Sequence, residues 1–107
     1  MVEGTDWMMP VLGNEVTAFA QEEFQTTVGG ANVLVPQCPT YWMDTNGKQN
    51  PIEQADGTSA YTESLHELIA KVKEETKSDK VGLAGCSNGV YMAMVMAMNY
   101  GDEYDAY

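Results

Sequence analysis

The sequence predicts an α/β fold in which parallel strands and flanking helices alternate in the order helix, strand, helix, strand, helix. Three observations predict it: two short apolar runs at 31–35 and 80–84, amphipathic stretches around them, and turn residues at their boundaries. Consecutive parallel strands require a crossover of the length found between these two runs. A chain of 107 residues forms one domain at most, so residues 1–107 are treated as a single domain.

The first predicted helix follows Asn14, which can cap it, and extends to about Gln25. Its apolar residues recur at helical spacing: Val16, Phe19, Ala20 and Phe24. Gly29 and Gly30 end this segment, because glycine tolerates the left-handed conformation common at helix C-termini. The β-branched run at 31–35 comes next and is predicted to be a buried strand.

Residues 36–58 are predicted to form one long loop, since turn pairs such as Asn46-Gly47 occur throughout it. Tyr41 and Trp42 lie near the start of this loop, at the edge where α/β sheets bind ligands. We expect them either to form an aromatic platform for a substrate or to pack under the loop. The sequence leaves both interpretations open.

Two further helices complete the pattern. The segment 59–76 carries one apolar face, made of Tyr61, Leu65, Leu68, Ile69 and Val72. The strand at 80–84 leads through a glycine-rich turn into a helix over 88–100, and Gly101 is a natural stop for it. The alternating methionines of this last helix are interpreted as packing residues.

The turn at 85–89 has the sequence Gly-Cys-Ser-Asn-Gly, which matches the G-x-S-x-G nucleophile elbow. In that motif a sharp turn between a strand and a helix strains the serine backbone and exposes its hydroxyl, while the helix N-terminus stabilises an oxyanion. Ser87 is therefore the candidate nucleophile, and the backbone N–H of Asn88 is a candidate oxyanion donor. The alternative is an ordinary turn in which Ser87 or Asn88 caps the helix.

The chain resembles one family of enzymes. The residues that carry the resemblance are Pro-Gln-Cys-Pro-Thr at 36–40, Trp-Met-Asp at 42–44, the helix from Tyr61, and the elbow followed by Tyr91-Met92. This pattern resembles the feruloyl-esterase and polyhydroxybutyrate-depolymerase-like branch of the bacterial α/β-hydrolases. Val90 departs from it, because that branch usually has a second glycine there. The resemblance implies a three-layer fold, hydrolysis of small-molecule or carbohydrate-linked carboxylic esters, and no cofactor.

The resemblance also implies catalytic elements of the family that are not found in this sequence. The family has a strand and a His-Gly-Gly-type loop before the position of Gly4, and a triad histidine after the nucleophile. His66 is the one histidine, it precedes Ser87, and we expect it to be a solvated helix residue. The chain is thus predicted to be a partial α/β-hydrolase domain that alone hydrolyses esters no better than its Ser87→Ala variant. The alternative function is a non-catalytic α/β module that self-associates or completes a partner.

Composition excludes several classes of function. The net charge of −11 repels phosphate backbones, so nucleic-acid binding is not expected. No apolar run is long enough for a membrane span, and the first residues lack a signal-peptide pattern, which favours a cytoplasmic location. One histidine and two cysteines give no metal-ligand spacing and no disulfide framework. Cys38 and Cys86 are expected to be free thiols, with a disulfide as the alternative.

We expect the protein to associate with itself. Two short strands would leave unpaired sheet edges, and the apolar faces of the last two helices would lack a sheet to cover them. A closed twofold dimer is the simplest form of such an assembly.

Overall fold

A computed structural model describes residues 6, 8–13, 15–49 and 51–107. The α-helices are α1 (Met8–Leu12), α2 (Glu22–Val28), α3 (Thr62–Thr76) and α4 (Asn88–Tyr100), and short 3-10 turns cover Val16–Ala20, Ile52–Gln54 and Gly101–Glu103. No helix of this described part has the length and apolar character that crossing a bilayer requires.

The predicted α/β fold is wrong, since the described residues form a helical globule without a sheet. Residues 31–35 are irregular, and Val33 and Leu34 are 44% and 38% exposed. A strand needs a partner to pair its N–H and C=O groups, and no described segment forms backbone hydrogen bonds with this one. The β-branched composition of the run was therefore not sufficient to make it a strand.

The second predicted strand is reduced to one isolated parallel bridge, between Gly82 and Ala106. Leu83 donates its N–H to the carbonyl oxygen of Ala106 at 2.9 Å, and Asp105 donates to that of Val81 at 2.8 Å. The three-layer α/β-hydrolase architecture that the resemblance implied is accordingly absent from the described residues.

The two long helices agree with the sequence prediction. The apolar pattern at 59–76 forms α3, and the pattern at 88–100 forms α4 with the predicted bounds. These helices pack together over a core of Leu65, Met92, Val95, Met96 and Tyr104. Partly buried residues surround this core: Trp42, Ile69, Val81, Leu83, Tyr91 and Tyr100. The apolar face of α3 and one face of α4 thus cover each other without an intervening sheet.

The predicted first helix is divided in two. Gln21 is extended and separates the 3-10 turn from α2. The side chain of Gln25 bridges the break, because its Nε2 donates to the carbonyl oxygen of Phe19 at 2.7 Å and its Oε1 accepts from the N–H of Ala31. Gly29 ends α2 in the left-handed conformation, as predicted. The predicted cap, Asn14, lies outside the described residues.

The loop at 36–58 is organised by Asp44, whose side chain is fully buried. Its carboxylate accepts hydrogen bonds from the backbone N–H groups of Asn46, Gly47 and Gln49 and from the hydroxyl of Thr40, at 2.7–3.2 Å. A buried carboxylate is tolerated when it is hydrogen-bonded in this way. The loop therefore has a defined course although it contains little regular structure.

Replacing Asp44 by alanine should lower the free energy of unfolding by about 3 kcal/mol, because buried donors would lose their acceptor. Asp56→Ala is the matched control, since its exposed carboxylate accepts hydrogen bonds from the N–H and hydroxyl of Thr58, only two residues away. That variant should lose less than about 1 kcal/mol. Urea unfolding measures both changes, and equal losses would contradict the organising role of Asp44.

Tyr104 gives a second prediction, because its hydroxyl is buried without a hydrogen-bond partner. Burial, and to a smaller extent the negative charge of Glu103, raises the pKa of Tyr104 to about 12. Unfolded tyrosine ionises near pH 10, so the stability conferred by the neutral phenol is fully present below about pH 10 and is lost as the pH rises towards 12.

Tyr104→Phe should therefore be at least as stable as the wild type at pH 7 and should lose less stability between pH 10 and pH 12. Tyr107→Phe serves as the control, since that ring is 65% exposed. The measurement is the unfolding midpoint of the wild type and both variants across this pH range. If Tyr104→Phe and the wild type lost the same amount of stability between pH 10 and pH 12, the raised pKa of Tyr104 would not be the cause of that loss.

Candidate active site

Ser87 lies at the N-terminus of α4 with a backbone conformation that is rare for residues other than glycine. Its φ is 53° and its ψ is −116°. Lys77, which ends α3, also has a positive φ, but its ψ of 35° places it in the ordinary left-handed helical region. Conformations such as that of Ser87 cost of order 1–3 kcal/mol and persist where the surroundings enforce them. The strained backbone predicted for Ser87 is confirmed, whereas the strand predicted to precede the turn is wrong, since an isolated bridge at Gly82 takes its place.

Ser87 does not act as an ordinary helix cap. A capping serine has an extended backbone, and its side-chain oxygen accepts a hydrogen bond from the first turn. Ser87 occupies the N-cap position but has a positive φ, and its side chain forms no capping hydrogen bond. The residue is exposed, so its hydroxyl is accessible to a solute.

The first turn of α4 presents an N–H group beside this hydroxyl. The N–H of Asn88 forms no hydrogen bond with a described residue, whereas the N–H of Gly89 donates to the carbonyl oxygen of Cys86 at 2.9 Å. Free N–H groups and the positive end of the helix dipole favour negative charge at this position. An oxyanion formed next to Ser87 Oγ would be stabilised by the N–H of Asn88 and by the positive end of the helix dipole.

Gly85 explains how the turn can be so tight. A Cβ atom on residue 85 would lie 2.4 Å from the carbonyl carbon and oxygen of Gly89 and 2.6 Å from the nitrogen of Val90. These are backbone atoms, so the contact cannot be relieved by a side-chain movement. Gly89 is different, because a Cβ there would meet no atom within 4 Å. Of the two glycines in the motif, Gly85 is the one that sterics require.

Asn88 also connects the turn to the 36–58 loop. Its Oδ1 accepts a hydrogen bond of 2.6 Å from the backbone N–H of Trp42. The indole ring of Trp42 packs edge-on against Tyr61, with 6.1 Å between the ring centroids, and contributes to the core. The structure thus joins the backbone of Trp42 to Asn88, the residue after Ser87, and the ring of Trp42 serves in packing.

Tyr41, the other residue of the predicted aromatic platform, has a buried hydroxyl without a hydrogen-bond partner. Burial, followed by the charges of Asp44 and Glu53, raises the pKa of its phenol above the usual value near 10. Neither cysteine forms a disulfide, so that alternative is excluded; Cys38 is buried as expected, whereas Cys86 is exposed. Cys86 nevertheless precedes Ser87 directly in the turn.

His66 is not the solvated helix residue that the sequence suggested. Its ring stacks on Tyr100, with 3.7 Å between centroids and 7° between planes, and its side chain is 25% exposed. Its Nε2 lies 2.8 Å from Oε2 of Glu103. Sequence reasoning missed this cluster because a contact across 37 positions leaves no periodic signal in the chain.

The distance between this histidine and Ser87 is set by α4. Tyr100 and Ser87 lie at opposite ends of that helix of 13 residues. A rise of 1.5 Å per residue separates the two ends by about 18 Å. His66 therefore cannot accept a proton from Ser87 of the same chain in this structure.

No cluster of three or more potential metal ligands occurs among the described residues. Comparison of the chain with protein-family models, with curated proteins and with solved structures finds no match. The interpretation of the site therefore depends on the motif residues and on the geometry around Ser87.

The two glycines of the motif provide a matched pair of variants. Gly85→Ala should displace the turn and lower the free energy of unfolding by about 2 kcal/mol, since a methyl group has no room there. Gly89→Ala should leave stability unchanged or raise it by up to about 1 kcal/mol, because alanine is the better helix former. Thermal and urea unfolding test both, and equal effects of the two substitutions would contradict the described turn.

Proposed function

We propose that this chain carries the nucleophile of a serine ester hydrolase, and that Ser87 is the attacking residue. The observation that carries the proposal is the strained backbone of Ser87 at the start of α4, within a G-x-S-x-G sequence. An observed strained residue is a basis for proposing function, and Ser87 lies in a turn whose close backbone approach only a glycine at residue 85 permits.

In the proposed reaction, Oγ of Ser87 attacks the carbonyl carbon of an ester. The developing oxyanion accepts a hydrogen bond from the N–H of Asn88 and interacts with the positive end of α4. Oxyanion stabilisation of this kind remains effective when the base is missing, though the overall rate is then much reduced. Small-molecule or carbohydrate-linked carboxylic esters are the proposed substrates, on the basis of the resemblance in residues 36–44 and 85–92.

A second candidate function has support of its own. His66 lies at the far end of α4, and α4 exposes large apolar side chains, of which Met94 and Met98 are 61% and 77% exposed. These features suit a non-catalytic module that associates with itself or with a partner. The reactivity of Ser87 distinguishes the two candidates.

The test is the rate at which a fluorophosphonate labels individual serines, mapped by peptide mass spectrometry. Ser64 is the internal control, because it is also exposed in the first turn of a helix, α3, but is not among the residues with a positive φ. Ser87 should react at least about tenfold faster than Ser64, since one oxyanion donor alone is worth 100-fold or more in known enzymes. Gly85→Ala should remove the difference. Equal labelling of Ser87 and Ser64 in the wild type would reject the nucleophile and favour the module.

A further inference from the structure

The side of α4 that points away from the core carries an exposed apolar stripe: Val90, Met94 and Met98, which are 43%, 61% and 77% exposed. These residues recur every four positions and so lie on one side of the helix. No charge interrupts the stripe, since α4 contains no charged residue. Exposed apolar patches of this kind mark places where a ligand or another surface binds.

Ser87 lies at one end of this stripe. Its carbonyl oxygen accepts hydrogen bonds from the N–H groups of Val90 at 3.0 Å and Tyr91 at 3.5 Å, which places both residues one helical turn from Ser87. Helical side chains lean towards the N-terminus, so those of Val90 and Tyr91 lean towards the turn that contains Ser87. A group bonded to Ser87 Oγ therefore has Val90 as its first neighbour on the stripe and Met94 as the next.

Tyr91 forms a fixed border beside the stripe. Its ring is partly buried against the core, and its hydroxyl donates a hydrogen bond of 2.8 Å to the carbonyl oxygen of Thr58. The ring is therefore held both by packing and by the end of the 36–58 loop. A chain that leaves Ser87 along α4 meets this aromatic ring on one side and the flexible side chain of Met94 ahead of it.

We propose that the stripe binds the acyl chain of the ester, and that the acyl group of the substrate is a straight aliphatic chain. The inference rests on the proposed function, since it names the substrate class of the same site. Met94 follows Ser87 by seven positions, about 10 Å along the helix axis. An extended chain of about nine carbons, with C–C bonds of about 1.5 Å, covers this distance. Methionine suits the role, because its flexible thioether adapts to an alkyl surface.

Charge distinguishes an aliphatic chain from the other ligands that could cover the stripe. A second copy of the protein would bring a further net charge of −11 against this surface. An anionic substrate would be repelled by Asp102, Glu103 and Asp105, which follow α4. A neutral alkyl chain meets neither repulsion. Because the stripe begins beside the proposed nucleophile, a chain attached to the ester carbonyl carbon lies on it directly.

Two fluorophosphonates that differ only in their alkyl chain, ethyl or decyl, test the proposal below the concentration at which the decyl probe forms micelles. Labelling joins Oγ to phosphorus, releases fluoride and passes the hydroxyl proton to water, so it does not require ester turnover. The decyl-to-ethyl ratio of labelling rates should be at least about tenfold higher at Ser87 than at Ser64. Each fully buried methylene is worth about fourfold in binding, so partial cover of the longer chain suffices.

Met94→Gln tests the stripe itself, because glutamine has a similar length and helix propensity but a polar end. This variant should lower the decyl-to-ethyl ratio at Ser87 at least about threefold. Met9→Gln is the matched control, since Met9 is also an exposed methionine in a helix, at 45% exposure. It lies on α1, which has no contact with α4 in the described part of the chain, and should leave the ratio unchanged.

The outcomes separate this inference from the proposed function. Equal ratios at Ser87 and Ser64, or equal effects of Met94→Gln and Met9→Gln, would overturn the assignment of the acyl chain. Faster labelling of Ser87 than of Ser64 by the ethyl probe would in those cases leave the nucleophile in place, whereas equal ethyl labelling would reject the nucleophile whatever the ratio. A dimeric wild type and a monomeric Met94→Gln in light scattering would assign the stripe to a second copy and overturn the inference.

Discussion

The close contact between the backbone of Gly85 and the backbone of Gly89 and Val90 is the constraint on which the rest of the structure depends. The chain can take this course only because residue 85 has no side chain. Within this turn Ser87 has a positive φ and is exposed, and α4 starts directly after it. The turn that carries the proposed nucleophile and starts the helix thus depends on a glycine at residue 85.

The helix that begins at this turn has a buried face and an exposed face. One face packs with α3 and supplies most of the core, with Met92, Val95 and Met96 almost fully buried. The other face stays exposed and extends from Ser87 towards the acidic residues after Tyr100. The 36–58 loop is fastened to the same turn through Asn88 and Trp42, and Asp44 holds its shape. The proposed site is therefore supported by the core instead of lying on a mobile segment.

Much of this local structure could be predicted from the sequence, and most of the tertiary structure could not. The bounds of α4 and the strained Ser87 follow from motif and periodicity, because both are determined within a few residues. The strand prediction at 31–35 is wrong because strands depend on a partner, and composition cannot supply one. The stacking of His66 on Tyr100 could not be predicted either, since it depends on how α3 crosses α4.

The backbone angle of Ser87 in solution is the most direct test of the account. NMR measurements of the backbone J couplings of isotope-labelled protein report the sign of φ at individual residues. The account predicts a positive φ for Ser87, near 53°, that is present in the wild type and in Gly89→Ala. A negative φ, as in an ordinary serine N-cap, would contradict the strained turn and with it the assignment of Ser87 as a nucleophile.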